Sequence, residues 1–258
     1  MSLIPPFYEA WFTVQSFEAD ARAQAKPVTL ANIMQEMAWR HAEAMGIGYS
    51  CFAPKKMAWI LARFSMNVLA PPVWGQTIKA RTWPSDRDRL YCYRDYCLEN
   101  EAGETLALGT SAWFVLDLSE GGAKRPLRTE NYYTEAIPEQ FEPALPKPPK
   151  LRPMEGGEVA YSLQTGSRHL DVNQHVNNTR YVEWLVDALP HTFQEAYLLR
   201  HLDIVYCAES LPQQELEVRI TPIPPIPEEE TTLHFAHEIR RSQDGKELCR
   251  AQTTWKKR

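Results

Sequence analysis

The chain has 258 residues, with 28 Lys and Arg against 33 Asp and Glu, and its formal net charge of -5 disfavours a general nucleic-acid binder, because phosphate recognition draws on clustered cations. No apolar run approaches the ~20 residues of a membrane-spanning helix, so no integral membrane segment is expected. The five cysteines, Cys51, Cys92, Cys97, Cys207 and Cys249, are odd in number and hold no Cys-x-x-Cys pair, which points to free thiols, with no zinc site, other metal or cofactor called for.

Residues 1–26 open with Ser2 and Pro5-Pro6 and carry Glu9, Glu18 and Asp20 where a signal peptide needs an apolar stretch. Nothing there marks export, and a cytoplasmic location is expected. A first strand is predicted around 12–17. Leu30, Ile33, Met34, Met37, Ala38, His41 and Met45 then fall on one helical face, which places a helix over 29–45 with Gly46 and Gly48 at its end. His41, alone on that face, reads as a core-edge residue.

Residues 57–68, 77–83, 89–98 and 105–116 are rich in aromatic and β-branched side chains and read as antiparallel strands. Turns are predicted at 83–86 and 99–103. From Pro138 to Gly157 six prolines and then Gly156-Gly157 exclude regular structure, so 138–157 reads as a linker between an N-terminal domain, 1–137, and a C-terminal one, 158–258. The proline-rich run at 222–227, followed by three glutamates, is predicted to be a protruding loop, and the basic end at 256–258 a solvated tail.

Beyond the linker the plan repeats, with strands expected at 159–166, 198–206, 216–221, 232–240 and 248–256. Residues 103–113 lie over 245–255 without a gap, each ending in Trp, and 76–81 lie over 214–219. Two such units imply internal duplication. One long helix followed by an antiparallel sheet that must bury it is an α+β arrangement, the hotdog, and its duplication gives a tandem double hotdog.

The densest chemistry lies at 169–184, where Asp171, Asn173 and His175 alternate just ahead of a helix carrying Tyr181, Val182, Leu185, Val186 and Leu189. An extended backbone would point the three to one side, where a carboxylate, an amide and an imidazole can hold and activate a water. The first amides of the helix, near Val176 and Asn177, could receive a polarised carbonyl oxygen. The competing reading is that Asn177 or Asn178 caps the helix while Asp171 and His175 fill turn positions.

The run 170–178 resembles the active-site signature of the acyl-(acyl carrier protein) thioesterases of plants and many bacteria; plant members carry a transit peptide, and as none is visible in 1–26 the resemblance implies a bacterial-type member of cytoplasmic origin. The likeness extends over nearly the whole chain, including Trp59-Ile60-Leu61-Ala62-Arg63, Trp74-Gly75-Gln76-Thr77 and Tyr93-Arg94-Asp95. The resemblance implies two hotdog sheets each wrapping a helix, and hydrolysis of acyl-(acyl carrier protein) to free fatty acid and holo carrier protein. It implies acyl carrier protein, with its phosphopantetheine-linked chain, as partner. It also places Glu209 where the family has a catalytic glutamate; Ser210 follows it here, where plant members have a cysteine, which favours water over a thiol nucleophile.

Comparison of the halves, with Leu30 set over Val176, puts Thr29, Pro27 and Ala25 against His175, Asn173 and Asp171, and setting Gln76 over Gln214 puts Pro71 against Glu209. The first half then lacks the polar set, and its apolar residues Ile33, Met34, Met37, Met45, Trp59 and Leu61 are expected to bind the acyl tail. Arg168 and Arg180 are candidates for docking an acidic carrier protein. The expected catalytic set is Asp171, Asn173, His175 and Glu209. An acyl-coenzyme A thioesterase of the same fold and a non-catalytic acyl-ligand sensor are the alternatives, and a homodimer is left open.

Overall fold

The computed structural model describes residues 6–119, 125–133, 142–224 and 231–258. The chain divides into two compact units, Met1–Pro148 and Pro149–Arg258. Pro138, at the head of the expected linker, and residues 225–230 of the expected protruding loop lie outside the described residues.

The first unit comprises β1 (Tyr8–Thr13), α1 (Pro27–Ala44), α2 (Tyr49–Phe52), β2 (Met57–Val68), β3 (Thr77–Arg87), β4 (Cys92–Asn100) and β5 (Thr105–Asp117), its strands antiparallel in the order β1-β3-β4-β5-β2. The second comprises β6 (Glu158–Gln164), α3 (Asn178–Asp187), α4 (His191–Ala196), β7 (Tyr197–Tyr206), β8 (Glu215–Ile223), β9 (Thr232–Arg241) and β10 (Glu247–Lys257), in the corresponding order β6-β8-β9-β10-β7. Each unit is therefore the same helix-and-sheet plan.

Helix α1 starts at Pro27, whose fixed φ suits the first helical position and whose missing N–H costs nothing there. It ends at Gly46, which takes the left-handed φ of 70°. Its inner stripe, Leu30, Met34, Met37 and His41, has no exposed surface. Met34 lies so close to Gly109 of β5 that a Cβ there would meet its sulfur at 2.6 Å. In the second unit Tyr181 of α3 packs edge-on against Tyr206 of β7, and the Tyr161 hydroxyl donates to Trp184 O at 2.9 Å.

Three expectations are corrected. The first strand is Tyr8–Thr13, earlier than 12–17, because Glu18 accepts the Gln15 N–H at 2.8 Å and closes a 3-10 turn at Ser16–Glu18. Residues 83–86 are not a turn but part of β3; β1 covers β3 only as far as Thr82, so Pro84 sits where one side of the strand is unpaired, beside a bulge between Pro84 and Asp86. His41 is not at the core edge but fully buried, its Nδ1 2.9 Å from Nη1 of buried Arg94. A buried guanidinium needs acceptors, and a neutral imidazole with the Thr82 hydroxyl at 3.2 Å supplies them.

The duplication reaches into the cores. Trp113 Nε1 donates to Ser111 Oγ at 2.7 Å, and that hydroxyl also meets Tyr96 OH at 2.9 Å. In the second unit Trp255 Nε1 donates to Thr253 Oγ1 at 2.8 Å, and His237 Nε2 lies 2.8 Å from the same oxygen. His237 has no exposed surface, its Nδ1 has no hydrogen-bond partner among the described residues, and burial pushes its pKa from 6.5 down to about 3.

No helix among the described residues is long and apolar enough to cross a membrane.

Below pH 6.5 and down to about 3 the unfolded chain binds a proton at His237 that the folded chain refuses. The neutral residue's contribution is complete above that window and is lost as pH falls through it, by up to about 1.4 kcal/mol per unit. His237→Gln is expected to flatten the acid limb of stability in urea unfolding between these limits; an unaltered slope would mean that other groups set it.

Candidate active site

Between β6 and α3 the backbone forms a closed loop. Leu170 and Val176 pair as an antiparallel bridge, Asp171 N–H donates to His175 O at 2.9 Å, and Gln174 N–H donates to Asp171 O at 3.0 Å. The Asp171 carboxylate accepts the Asn173 N–H at 2.8 Å, and Gln174 takes a left-handed φ of 62°. The alternation expected of Asp171, Asn173 and His175 therefore does not apply: a short acidic side chain that bonds the amide two residues on makes a turn instead of a strand. Asn173 is exposed at the tip, and no hydrogen bond joins it or the Asp171 carboxylate to His175 or Glu209 among the described residues.

Helix α3 is capped by Asn177, whose Oδ1 accepts the Thr179 N–H at 2.9 Å. The amides assigned to a polarised oxygen are already engaged, which corrects that expectation. Val176 N–H donates to Ser210 O at 3.0 Å and Asn177 N–H to His169 O at 2.9 Å. The next amide, Asn178 N–H, is the first-turn donor with no partner among the described residues, as the first position of a helix allows. Tyr206 OH donates to Asn178 O at 3.0 Å and ties this start to β7.

Glu209 lies in the loop after β7, next to buried Ser210. Gln214 holds that loop, its Oε1 accepting Leu211 N–H and standing 3.0 Å from Ser210 Oγ. Because Val176 N–H grips Ser210 O, the residues before each of these, His175 and Glu209, become neighbours across 34 positions of sequence. Nδ1 of His175 is 3.6 Å from Oε1 of Glu209, and the two side chains keep 38% and 42% of their surface. Solvent reaches both, so a water can enter between an imidazole and a carboxylate. Tyr206, Tyr181, Ser210 and Gln214 went unassigned in the sequence; only Gln214 gave a signal, through its match with Gln76.

The first unit contains the same loop, five residues from where Leu30 over Val176 placed it, with one further bond from Gln24 N–H to the Asp20 carboxylate at 3.0 Å. Asp20 N–H donates to Gln24 O at 2.7 Å, Ala23 N–H to Asp20 O at 3.0 Å, and Arg22 N–H to the Asp20 carboxylate at 2.9 Å. Ala23 has a φ of 58°, Ala19 bridges Ala25, Ala25 N–H donates to Pro72 O at 2.7 Å and Lys26 N–H to Glu18 O at 2.9 Å. The true counterparts of Asp171, Asn173, His175 and Val176 are thus Asp20, Arg22, Gln24 and Ala25, and Pro71 does stand at Glu209. The expectation that the first half lacks the whole polar set is corrected: it keeps the aspartate and lacks the imidazole, the amide at the tip and the glutamate. Letter matching failed here because neither helix start offers an anchor as clear as the two tryptophans.

Sequence models of the acyl-ACP (acyl carrier protein) thioesterase N-terminal domain and C-terminal domain match residues 5–133 and 160–257. The chain belongs to the acyl-ACP thioesterase family. It is 26% identical to oleoyl-acyl carrier protein thioesterase 2 of Arabidopsis thaliana, over 97% of this chain and 77% of that protein. It is 28% identical to a palmitoyl-acyl carrier protein thioesterase of Gossypium hirsutum, over 95% and 62%. The fold matches the crystal structure of an acyl-ACP thioesterase from Bacteroides thetaiotaomicron with TM-score 0.83, at 21% identity, over 99% of this chain and 100% of that one. It also matches the 12:0-ACP thioesterase from Umbellularia californica with TM-score 0.79, at 22% identity, over 99% and 96%. The double hotdog is thereby the fold, and this acyl-ACP thioesterase is a thioester hydrolase.

In the thioesterase Cys207, two residues before Glu209, is poorly suited to attack. Desolvation, and then the charge of Glu247, push the Cys207 thiol above its ordinary range even though its surface is exposed, and the thiolate is the nucleophilic form. Cys207→Ala is accordingly expected to keep turnover close to wild type, with no acyl adduct on the protein in intact-mass spectra of the wild type under turnover; an adduct on Cys207 would replace hydrolysis by water with a covalent route.

Proposed function

We propose that the enzyme hydrolyses acyl-ACP by water held between His175 and Glu209, with the acyl carbonyl oxygen received at the start of α3. The observation that carries this reading is the 3.6 Å approach of His175 Nδ1 to Glu209 Oε1 beside a helix N-terminus, a pair that the first unit replaces by Gln24 and Pro71. Water attacks the thioester carbon and gives up its proton to the pair. The developing oxyanion meets the Asn178 N–H and the positive end of the helix dipole. Collapse of the tetrahedral intermediate breaks the C–S bond, and the protonated pair returns a proton to the departing thiolate of the carrier's phosphopantetheine. The products are free fatty acid and holo carrier protein, made without a cofactor in these steps. This reading places the enzyme where carrier-bound chains are made, in a bacterial cytoplasm.

The acyl tail is assigned to the first unit. Ile33, Met34, Met37, Met45 and Leu61 are buried there, Met45 among Phe52, Cys92, Val115, Tyr132 and Tyr133, and Trp59 stacks on Phe52. Met side chains suit an adjustable apolar wall, and each buried methylene of a tail is worth about 0.8 kcal/mol. For carrier docking, Arg168 is exposed, while Arg180 is paired with Glu183 at 2.9 Å and so is partly neutralised. Arg168 is the stronger candidate to meet an acidic partner.

His175→Ala and Glu209→Gln are expected to fold normally and to lose on the order of 10²- to 10⁴-fold in kcat on acyl-ACP. A near wild-type rate in either variant would remove that residue from the chemistry. Met37→Ala and Met45→Ala are expected to move the preferred acyl length upward in a chain-length series, and an unchanged profile with lowered stability would make the first unit scaffold alone. Arg168→Glu is expected to raise KM for acyl-ACP and leave acyl-coenzyme A hydrolysis unchanged.

A further inference from the structure

The catalytic motif contains an aspartate whose work can be read from its twin. Asp171 and Asp20 stand at the same place in the two loops and share three contacts, to which Asp20 adds a fourth, its Oδ1 also accepting the Gln24 N–H at 3.0 Å. The N–H donates to the carbonyl four residues on, at 2.9 and 2.7 Å; the carbonyl accepts from the amide three residues on, at 3.0 Å in both; the Oδ1 accepts from the amide two residues on, at 2.8 and 2.9 Å. Each loop then crosses a left-handed residue, Gln174 or Ala23, and ends on an amide that grips a carbonyl of the neighbouring loop, Ser210 O or Pro72 O. What differs is the chemistry carried on this frame. The residue before the gripping amide is His175 in one unit and Gln24 in the other, and the residue before the gripped carbonyl is Glu209 in one and Pro71 in the other.

A loop with neither imidazole nor glutamate has no water to activate, yet its aspartate makes the three shared bonds and one more to its own loop. The turn alone therefore accounts for an aspartate at this position. We infer that Asp171 is a positioning residue: its Oδ1 closes the turn that sets His175 beside Glu209, and its negative charge takes no part in proton transfer. The separation of side chains agrees, since the carboxylate contacts its own loop's amide and makes no hydrogen bond to His175 or Glu209 among the described residues.

The inference rests on His175 and Glu209 as the acid–base pair and makes a distinction that substitution can read. Asn keeps an Oδ1 acceptor and discards the charge, Ser keeps a weaker acceptor, and Ala keeps none. Asp171→Asn is expected to hold kcat and the shape of its pH profile close to wild type, and Asp171→Ser to retain an intermediate rate. Asp171→Ala is expected to fall on the order of 10²-fold, the cost of a ~1 Å displacement of a catalytic group. Asp20→Ala, in the unit without the pair, is expected to lower the thermal midpoint by about as much as Asp171→Ala while turnover stays near wild type.

The opposite pattern overturns the inference: an aspartate that supports an imidazolium by its charge loses about 10⁴-fold on change to Asn. Asp171→Asn as inactive as Asp171→Ala, with an unchanged thermal midpoint, would establish that role. His175→Ala and Glu209→Gln are assayed in the same series to separate the two failures. If they lose turnover and Asp171→Asn does too, only the assignment of Asp171 falls. If either keeps its rate, the acid–base pair fails and the inference falls with it.

Discussion

The site depends on one backbone hydrogen bond, Val176 N–H to Ser210 O at 3.0 Å. Without it, the motif ahead of α3 and the loop after β7 would be two separate surface features, each with an isolated polar side chain. With it, two residues that directly precede the bonded atoms are forced side by side. A main-chain bond is well suited to this task, because it fixes position without constraining which side chain the preceding residue carries. The same bond in the first unit, Ala25 N–H to Pro72 O at 2.7 Å, carries Gln24 and Pro71 and so makes no pair.

Around that bond the supporting contacts are arranged to limit motion. The Asn177 cap, the Tyr206 hydroxyl on Asn178 O and the Gln214 amide beside Ser210 each satisfy a polar group that an exposed loop would leave to water. Ser210 is buried while Glu209, one residue earlier, stays open to solvent. Buried Ser210 thus anchors the pair proposed to react at an edge open to solvent, where water, a substrate of hydrolysis, can reach it.

Much of the fold was legible in sequence because its signals were strong and local. Strand β2 was found to the residue, α1 to within two residues at its start, and the repeat of β5 in β10 followed from an ungapped match ending in Trp113 and Trp255, whose indoles make equivalent core bonds. What failed depended on pairings beyond the local pattern. Pro84 looked like a turn because its neighbours on one side of β3 were not visible in the sequence. Asp171, Asn173 and His175 looked extended because alternation carries no information about a carboxylate bonding its own backbone. Glu209 was reachable only through family likeness and the Gln76 to Gln214 match, as no property of a lone glutamate says which imidazole it will face.

On the proposed assignment, one frame supports two tasks. Among the described residues both units have five strands in the same order and the same loop ahead of the helix, yet α1 runs 18 residues and α3 only 10. The extra turns of α1 carry Met37, His41 and the approach to Met45, deepening the apolar interior of the first unit, whereas α3 stops early and gives way to short α4. Lengthening a helix adds interior wall, and shortening it leaves the chemistry to the helix start. The differences that bear on the proposed site lie in side chains at three loop positions and in helix length, while the loop that holds them keeps its backbone bonds. On the proposed assignment, a duplicated fold separates recognition of a long apolar tail from hydrolysis of its thioester by changing helix length and the side chains that each copy places on a shared loop.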